Sequence, residues 1–253
     1  MNPQLSTAGR YARVRLRRAR GRLRRLKRQI LPSNTGHSQL SPTSVGGSTL
    51  LLRPPLLGDV DRFAARLLAH TDELAEQHPQ PAGRPDRWSQ EEALLTWTDR
   101  MLAERAEARR GERVVELLLL TAGEALGELV GEVSARIDGG TSSADLTLWV
   151  DSRGVGGASS QVVAERGMAL FLLHIAASDR PPSRYFGEVP VLAEPAAAGE
   201  LDRGALLAVL GFHCEGRLID SRLHRGRPAS HDVWVAHDSA EFRRNLQANL
   251  DRS

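Results

Sequence analysis

At 253 residues with 41% hydrophobic side chains, the chain can bury one sizeable core with an appendage, or two small cores. The single cysteine, Cys214, excludes an intramolecular disulfide and a four-cysteine zinc site and points to a reducing compartment. The longest apolar run, Val114 to Ala122, is broken by Glu116 and Thr121, and the basic start lacks the apolar block of a signal peptide, so a soluble cytoplasmic protein without a transmembrane segment is expected.

The net charge of +3 is unevenly spread. Met1 to Gly58 holds twelve Arg or Lys and no acid, so the remainder is an acidic body. Residues 10–30 carry eleven of those cations. Ala12, Leu16, Ala19, Leu23, Leu26 and Ile30 step by four and three, which places them on one stripe of a basic amphipathic helix within an arm spanning 1–31. Such an arm suits RNA or the ribosome, an anionic membrane surface, or another helix, with RNA favoured over lipid because the stripe lacks Trp and Phe. A solvated tail or an organelle transit peptide are the alternatives. From 32 to 48 the chain is rich in Pro, Ser, Thr, Asn and Gly, a flexible linker.

Folding is expected to begin with a strand at Thr49–Pro54, and Asp59 can cap a helix running from Val60 to Gln77 with Phe63, Leu67, Leu68 and Leu74 inward. Pro79, Pro81 and Pro85 end it. Ser89 and Glu92 form a capping box for a second helix reaching about Arg109, which buries Ala93, Leu94, Trp97, Met101 and Leu102. Strands follow at Val114–Leu120, Gly127–Ile137 and, after the Asp138-Gly139-Gly140 turn, Ala144–Val150. Leu148 to Ser159 then reads as strand, three-glycine loop and helix start, the helix continuing with apolar period from Val162 to Ile175. Glycines allow close backbone approach, and the unpaired N–H groups of the helix start face the loop, which outlines a phosphate site. A fifth strand at Tyr185–Leu192, a short helix at Leu201–Val209, a strand at Val233–Ala236 and a polar closing helix at Ala240–Arg252 complete the chain.

Within this order, Arg153-x-x-Gly156-x-Ala158 resembles the pyrophosphate loop of the GNAT acyltransferases. Leu-Arg-Pro followed by Asp, Trp88-x-x-Glu-Glu-Ala before the second helix, Leu129-Val130-Gly131 on the third strand, and Leu210-Gly211-Phe212 followed by Glu215-Gly216-x-Leu218 are similar to the RimJ/RimL-type branch. The resemblance covers about Thr49 to Asp238. It implies an α/β GNAT fold over 49–253, with a mixed, mostly antiparallel sheet of six to seven strands flanked by helices and a cleft where the fourth and fifth strands splay.

It further implies acetyl-CoA as co-substrate and no metal. The diphosphate would be held by backbone amides of Gly154, Gly156, Gly157, Ala158 and Ser159 with Arg153 nearby, and a backbone N–H near Trp149 or Val150 would polarise the thioester. Trp88 and Trp97 would border the acceptor, although tryptophans at such positions also serve as core. Two expected side chains are replaced: the Asn-x-x-Ser positions hold Glu200 and Arg203, and a downstream glutamate falls on Arg222. Glu188, in Phe-Gly-Glu-Val, is the candidate catalytic base, ahead of Glu128 and Glu132. His213, His224, His231 and His237 lack a metal-binding spacing and read as surface or acceptor-side groups, and Cys214 reads as buried and inert.

The implied activity is N-acetylation of a protein or peptide amine. The alternatives are a small amine, such as an aminoglycoside, or a catalytically inactive acyl-CoA-binding module acting as an RNA or membrane adaptor. A homodimer is suggested by the resemblance alone.

Overall fold

The computed structural model describes residues 42–69, 89–121, 127–151, 159–191, 201–224 and 227–252. The arm 1–31, the linker up to residue 41, residues 70–77 of the expected first helix, Trp88 and the loop residues 152–158 lie outside the described residues. The described residues divide into two compact units, those within Leu56–Ala103 and those within Ser38–Pro55 and Glu104–Ser253.

The first unit contains a 3-10 turn at Leu57–Asp59, helix α1 (Val60–Ala69) and most of helix α2 (Gln90–Arg109). The Asp59 carboxylate accepts the Leu56 N–H at 2.7 Å. The capping box on α2 forms as its spacing predicts: Glu92 accepts from the Ser89 N–H at 2.9 Å, and Ser89 Oγ accepts from the Glu92 N–H at 3.2 Å. Phe63 and Trp97 pack with ring centroids 4.4 Å apart, beside buried Ala64, Ala93 and Met101. Leu68 and Leu102, which the helical period would turn inward, are 40% and 44% exposed.

The second unit is built on one eight-stranded sheet, one or two strands more than the sequence suggests, in the order β1-β2-β3-β4-β5-β6-β8-β7. The strands are β1 (Thr43–Val45), β2 (Ser48–Arg53), β3 (Arg113–Thr121), β4 (Glu128–Asp138), β5 (Ser143–Val150), β6 (Arg184–Pro190), β7 (His213–His224) and β8 (Arg227–His237). Helices α3 (Ser160–Ala176), α4 (Arg203–Val209) and α5 (Ala240–Asp251) complete it. The additional strands have local causes. Gly46 and Gly47, at φ +56° and +80°, make the two-residue turn of a hairpin that pairs Val45 with Ser48, so the end of the linker-like stretch is strand. Strand β7 escapes sequence reading because its residues 213–221 are all exposed, leaving no buried alternation.

Residues directly opposed across the ladders share a face, so register sorts the sheet into two. One face carries Leu50, Leu52, Leu118, Val133, Ala135, Ala144, Leu148, Val150 and Tyr185, in one apolar cluster with Met168, Phe171 and Leu172 of α3 and Phe242 and Leu246 of α5. Each fully buried Leu or Phe there contributes about 1.5–3 kcal/mol. The opposite face presents a cross-strand row of Arg53, Leu117, Glu132 and Trp149.

Glu116 is the exception on the apolar face, directly opposite Val133 and 4% exposed. Burial pushes its carboxyl up to about 8, against the opposing pull of Arg53. The folded state therefore keeps this proton where the unfolded chain, titrating near 4.5, has lost it. Stability drawn from this group falls as pH rises between those two values and is level above them. Glu116→Gln should thus match the parent in thermal unfolding at about pH 5 and exceed it at about pH 8.5 by a few kcal/mol; equal unfolding temperatures at both pH values would show that Glu116 is not protonated in the fold.

Candidate active site

Among the described residues the only parallel pairing joins β5 to β6, and it is short: Ser143↔Arg184, Ala144↔Tyr185 and Asp145↔Phe186. A residue with positive φ, Ser142 at +54°, pins this end. Its carbonyl accepts the Ser183 N–H at 2.7 Å and the Ser183 hydroxyl at 3.0 Å. Beyond the third pair β5 continues to Val150 on the arm of β4, and β6 continues to Pro190 on the arm of β8. The two strands thus form a fork, closed at their amino ends and open at their carboxyl ends. Pro190, which lacks an N–H, pairs with His231 on its β8 side, and its other edge needs no donor because the β5 ladder has already stopped.

At the tip of the β5 prong the backbone direction can be read from two contacts. The Asp151 N–H donates to Val130 O on β4 at 2.8 Å, and a Cβ built on Gly131 would lie 2.5 Å from Trp149 O. Residues 149 and 151 therefore turn their polar backbone atoms toward β4, and by strand alternation Val150 turns its N–H into the open fork. Val130 is the extra residue where the β3–β4 register shifts, and this bulge supplies the carbonyl that holds Asp151. Gly131 is needed for the same approach, since any side chain there meets the Trp149 carbonyl.

After residues 152–158 the chain enters α3. Ser159 is its N-cap, with Oγ accepting the Val162 N–H at 3.3 Å, and no acidic residue occupies the first turn. The helix start is thus electrostatically open to an anion. Glu188 lies half-buried on β6, paired with Val233, on the face that also carries Trp149 and Glu132. The Trp149 indole N–H is buried without a hydrogen-bond partner among the described residues, which costs about 1–3 kcal/mol unless an acceptor reaches it.

The structure therefore brings Trp149, Val150, Ser159 and Glu188 to the two prongs and the helix beside them. It does not bring Trp97 to an open surface, because that residue is 1% exposed and packs tilted against Phe63 as core. Trp88, Arg153, Gly154, Gly156, Gly157 and Ala158 lie outside the described residues. Arg203 opens α4, whose N-cap Asp202 accepts the Ala205 N–H at 2.9 Å. Glu128 is exposed, whereas Glu132 is 5% exposed. Cys214 corrects the sequence reading: it is exposed, because residues 213–221 of β7 are uncovered on both faces of the strand. Gly131 is a further functional position, one that an isolated glycine inside a strand signals as a close backbone approach.

No protein-family model and no curated protein matches the sequence, but solved structures match the fold. Mycobacterium smegmatis RimJ in complex with CoA-disulfide aligns with a TM-score of 0.62 at 23% identity, covering 83% of this chain and 94% of that one. The ribosomal-protein-S5-alanine acetyltransferase of Vibrio fischeri aligns at 0.57 and 14% identity, covering 79% and 98%. The Salmonella typhimurium acetyl transferase that modifies the N-terminal serine of L7/L12 aligns at 0.56 and 16% identity, covering 79% and 100%. The chain has the GNAT fold of these RimJ/RimL-type structures. Among the described residues no helix is long and apolar enough to cross a membrane.

Gly131→Ala should lower the unfolding free energy in urea by about 1–3 kcal/mol, because β4 and β5 must separate to admit the methyl group. Gly139→Ala, whose Cβ meets nothing within 4 Å, should change it by less than about 0.5 kcal/mol. Equal effects would refute the close approach at the fork tip.

Proposed function

We propose that this chain is an acetyl-CoA-dependent N-acetyltransferase acting on an amine of a protein or peptide. The observation that carries the reading is the fork: the β5–β6 ladder stops after three pairs, and β5 is followed in sequence by the glycine-rich residues 152–158 and then by the capped start of α3. That arrangement suits a long ligand with a diphosphate, its anionic part against amides and its narrow arm between the prongs. The backbone amides from Gly154 to Ser159, with Arg153, would hold the diphosphate. The cytoplasmic, soluble character expected from the sequence fits such a co-substrate.

Acetyl-CoA supplies an acyl group activated as a thioester. The Val150 N–H, turned into the fork, would donate to the carbonyl oxygen where negative charge develops. Nitrogen–carbon bond formation and carbon–sulfur bond cleavage require one proton to leave the amine and one to reach the sulfur. Glu188, half-buried on β6 and on the face that carries Trp149, would take the amine proton, directly or through water. An α-amine, with a pKa near ~8, asks less of such a base than a lysine near ~10.4. We therefore favour a peptide amino terminus as acceptor. The basic arm at 10–30 suits an acceptor associated with RNA, and the solved neighbours include enzymes that modify ribosomal proteins.

A second reading is favoured by one observation. Arg203 begins α4 where the family resemblance expects a serine serving the thiolate, which suits a module that binds acyl-CoA without turnover.

Calorimetric titration of the full chain with acetyl-CoA tests the reading. The parent should bind and Gly156→Asp should not, because a carboxylate would enter the diphosphate loop; no binding by folded parent overturns the proposal. With binding established, Glu188→Gln should lower kcat on an amino-terminal peptide by about 10²–10⁴-fold with little change in acetyl-CoA affinity. Unchanged kcat removes Glu188 from the base role, and binding without turnover on any amine selects the second reading.

A further inference from the structure

The histidines near the carboxyl end have no metal-binding spacing along the chain, but the β7–β8 hairpin rearranges them. His213 opens β7 opposite Val235, and His237 closes β8 two residues beyond. The ladder shifts register between Cys214 and Gly216, which leaves Glu215 as the extra residue of a bulge. Bulges re-aim side chains, and this one brings Glu215 Oε1 to 3.3 Å from His213 Nε2. The His213 and His237 rings lie nearly parallel, with centroids 6.2 Å apart and planes inclined by 17°. One ligand atom from each of His213, Glu215 and His237 lies within 4.8 Å of the others, and all three residues are exposed.

The second carboxylate oxygen has a separate partner. Glu215 Oε2 faces Arg184 NH2 at 3.4 Å, and the Arg184 guanidinium is steadied over the Phe186 ring at 5.0 Å from its centroid. Arg184 in turn pairs with His237 across β6 and β8. An outer partner thus holds one oxygen and leaves the other directed at the imidazoles, the arrangement by which ligating carboxylates are commonly oriented. The guanidinium charge opposes a cation, so affinity must come from coordinate bonds rather than from net negative charge.

We propose that His213, Glu215 and His237 form a surface site for a divalent transition-metal ion of the zinc class, completed by water. Two imidazoles and one carboxylate suit Zn2+ and its borderline neighbours, whereas Ca2+ and Mg2+ prefer all-oxygen sets. The 3.3 Å separation of His213 and Glu215 ligand atoms already accommodates a shared ion at bond lengths of about 2.0–2.2 Å. Exposure leaves the His237 ring free to close the remaining distance. Arg184 stands opposite Ser143 at the closed end of the fork, so the site lies away from the open end. The ion would tie β7 to β8 rather than take part in acyl transfer, and the inference is independent of the acetyltransferase reading.

Zinc titration of the chelator-treated full chain by calorimetry tests it. The parent should bind one equivalent, and the double variant His213→Ala/His237→Ala should bind it at least about 10–100-fold more weakly with an unchanged circular dichroism spectrum. Glu215→Gln should weaken binding in the same direction, and His174→Ala, a substitution outside the cluster, should leave it unchanged. Absence of saturable zinc binding by the parent, or equal affinity in the double variant, overturns the proposal.

Discussion

The geometry of the second unit depends on two parallel strands that are tied at one end and held apart at the other. Three β5–β6 pairs and the Ser142 carbonyl close the fork, while unbroken ladders to β4 and β8 keep each prong extended beyond the point where they part. Unpaired strand edges inside a sheet are costly because each buried N–H and C=O needs a partner. The chain meets this in part with Pro190, which has no N–H to satisfy, and in part by placing a loop and a helix start at the β5 tip. The Val150 N–H is turned into the opening by strand alternation, and the Trp149 indole N–H is buried without a hydrogen-bond partner among the described residues. A ligand with acceptors along its length would satisfy them together.

The same logic explains the side of β5 away from the opening. The Val130 bulge and Gly131 allow β4 to hold Trp149 and Asp151 closely. This closeness fixes which backbone groups face the fork, since alternation along a strand leaves no independent choice for Val150. A glycine and a bulge on β4 thus determine the orientation of a donor on β5.

Much of the architecture was legible in the sequence because it is locally encoded. The Ser89–Glu92 box, the Asp138 turn and the apolar period of α3 each involve residues within a few positions of one another, and each appears where expected. The parts not legible depend on tertiary pairing. Residues 213–221 of β7 are exposed on both faces, so this stretch carries no apolar period. His213, Glu215 and His237 are joined by a hairpin register and a bulge, neither of which follows from spacing. Trp97 could be read as a site residue or as core, and only its contact with Phe63 shows which surface it packs against.

This division bears on how the proposed function could be built in a chain that shares only 23% identity with the RimJ structure whose fold it matches. In the proposed reaction, diphosphate binding and carbonyl polarisation fall to backbone N–H groups, whose positions depend on strand register and on a few glycines. Those tasks tolerate extensive side-chain replacement so long as the fork is kept. Proton transfer falls to side chains, and there the sequence departs from the family pattern at Glu200, Arg203 and Arg222. The expected pattern of divergence is therefore a conserved frame for the co-substrate with a changed set of groups around the amine. An acceptor that deprotonates readily is the one such a frame can serve with the fewest side chains, and this physical economy, rather than any single residue, favours a peptide amino terminus over a lysine.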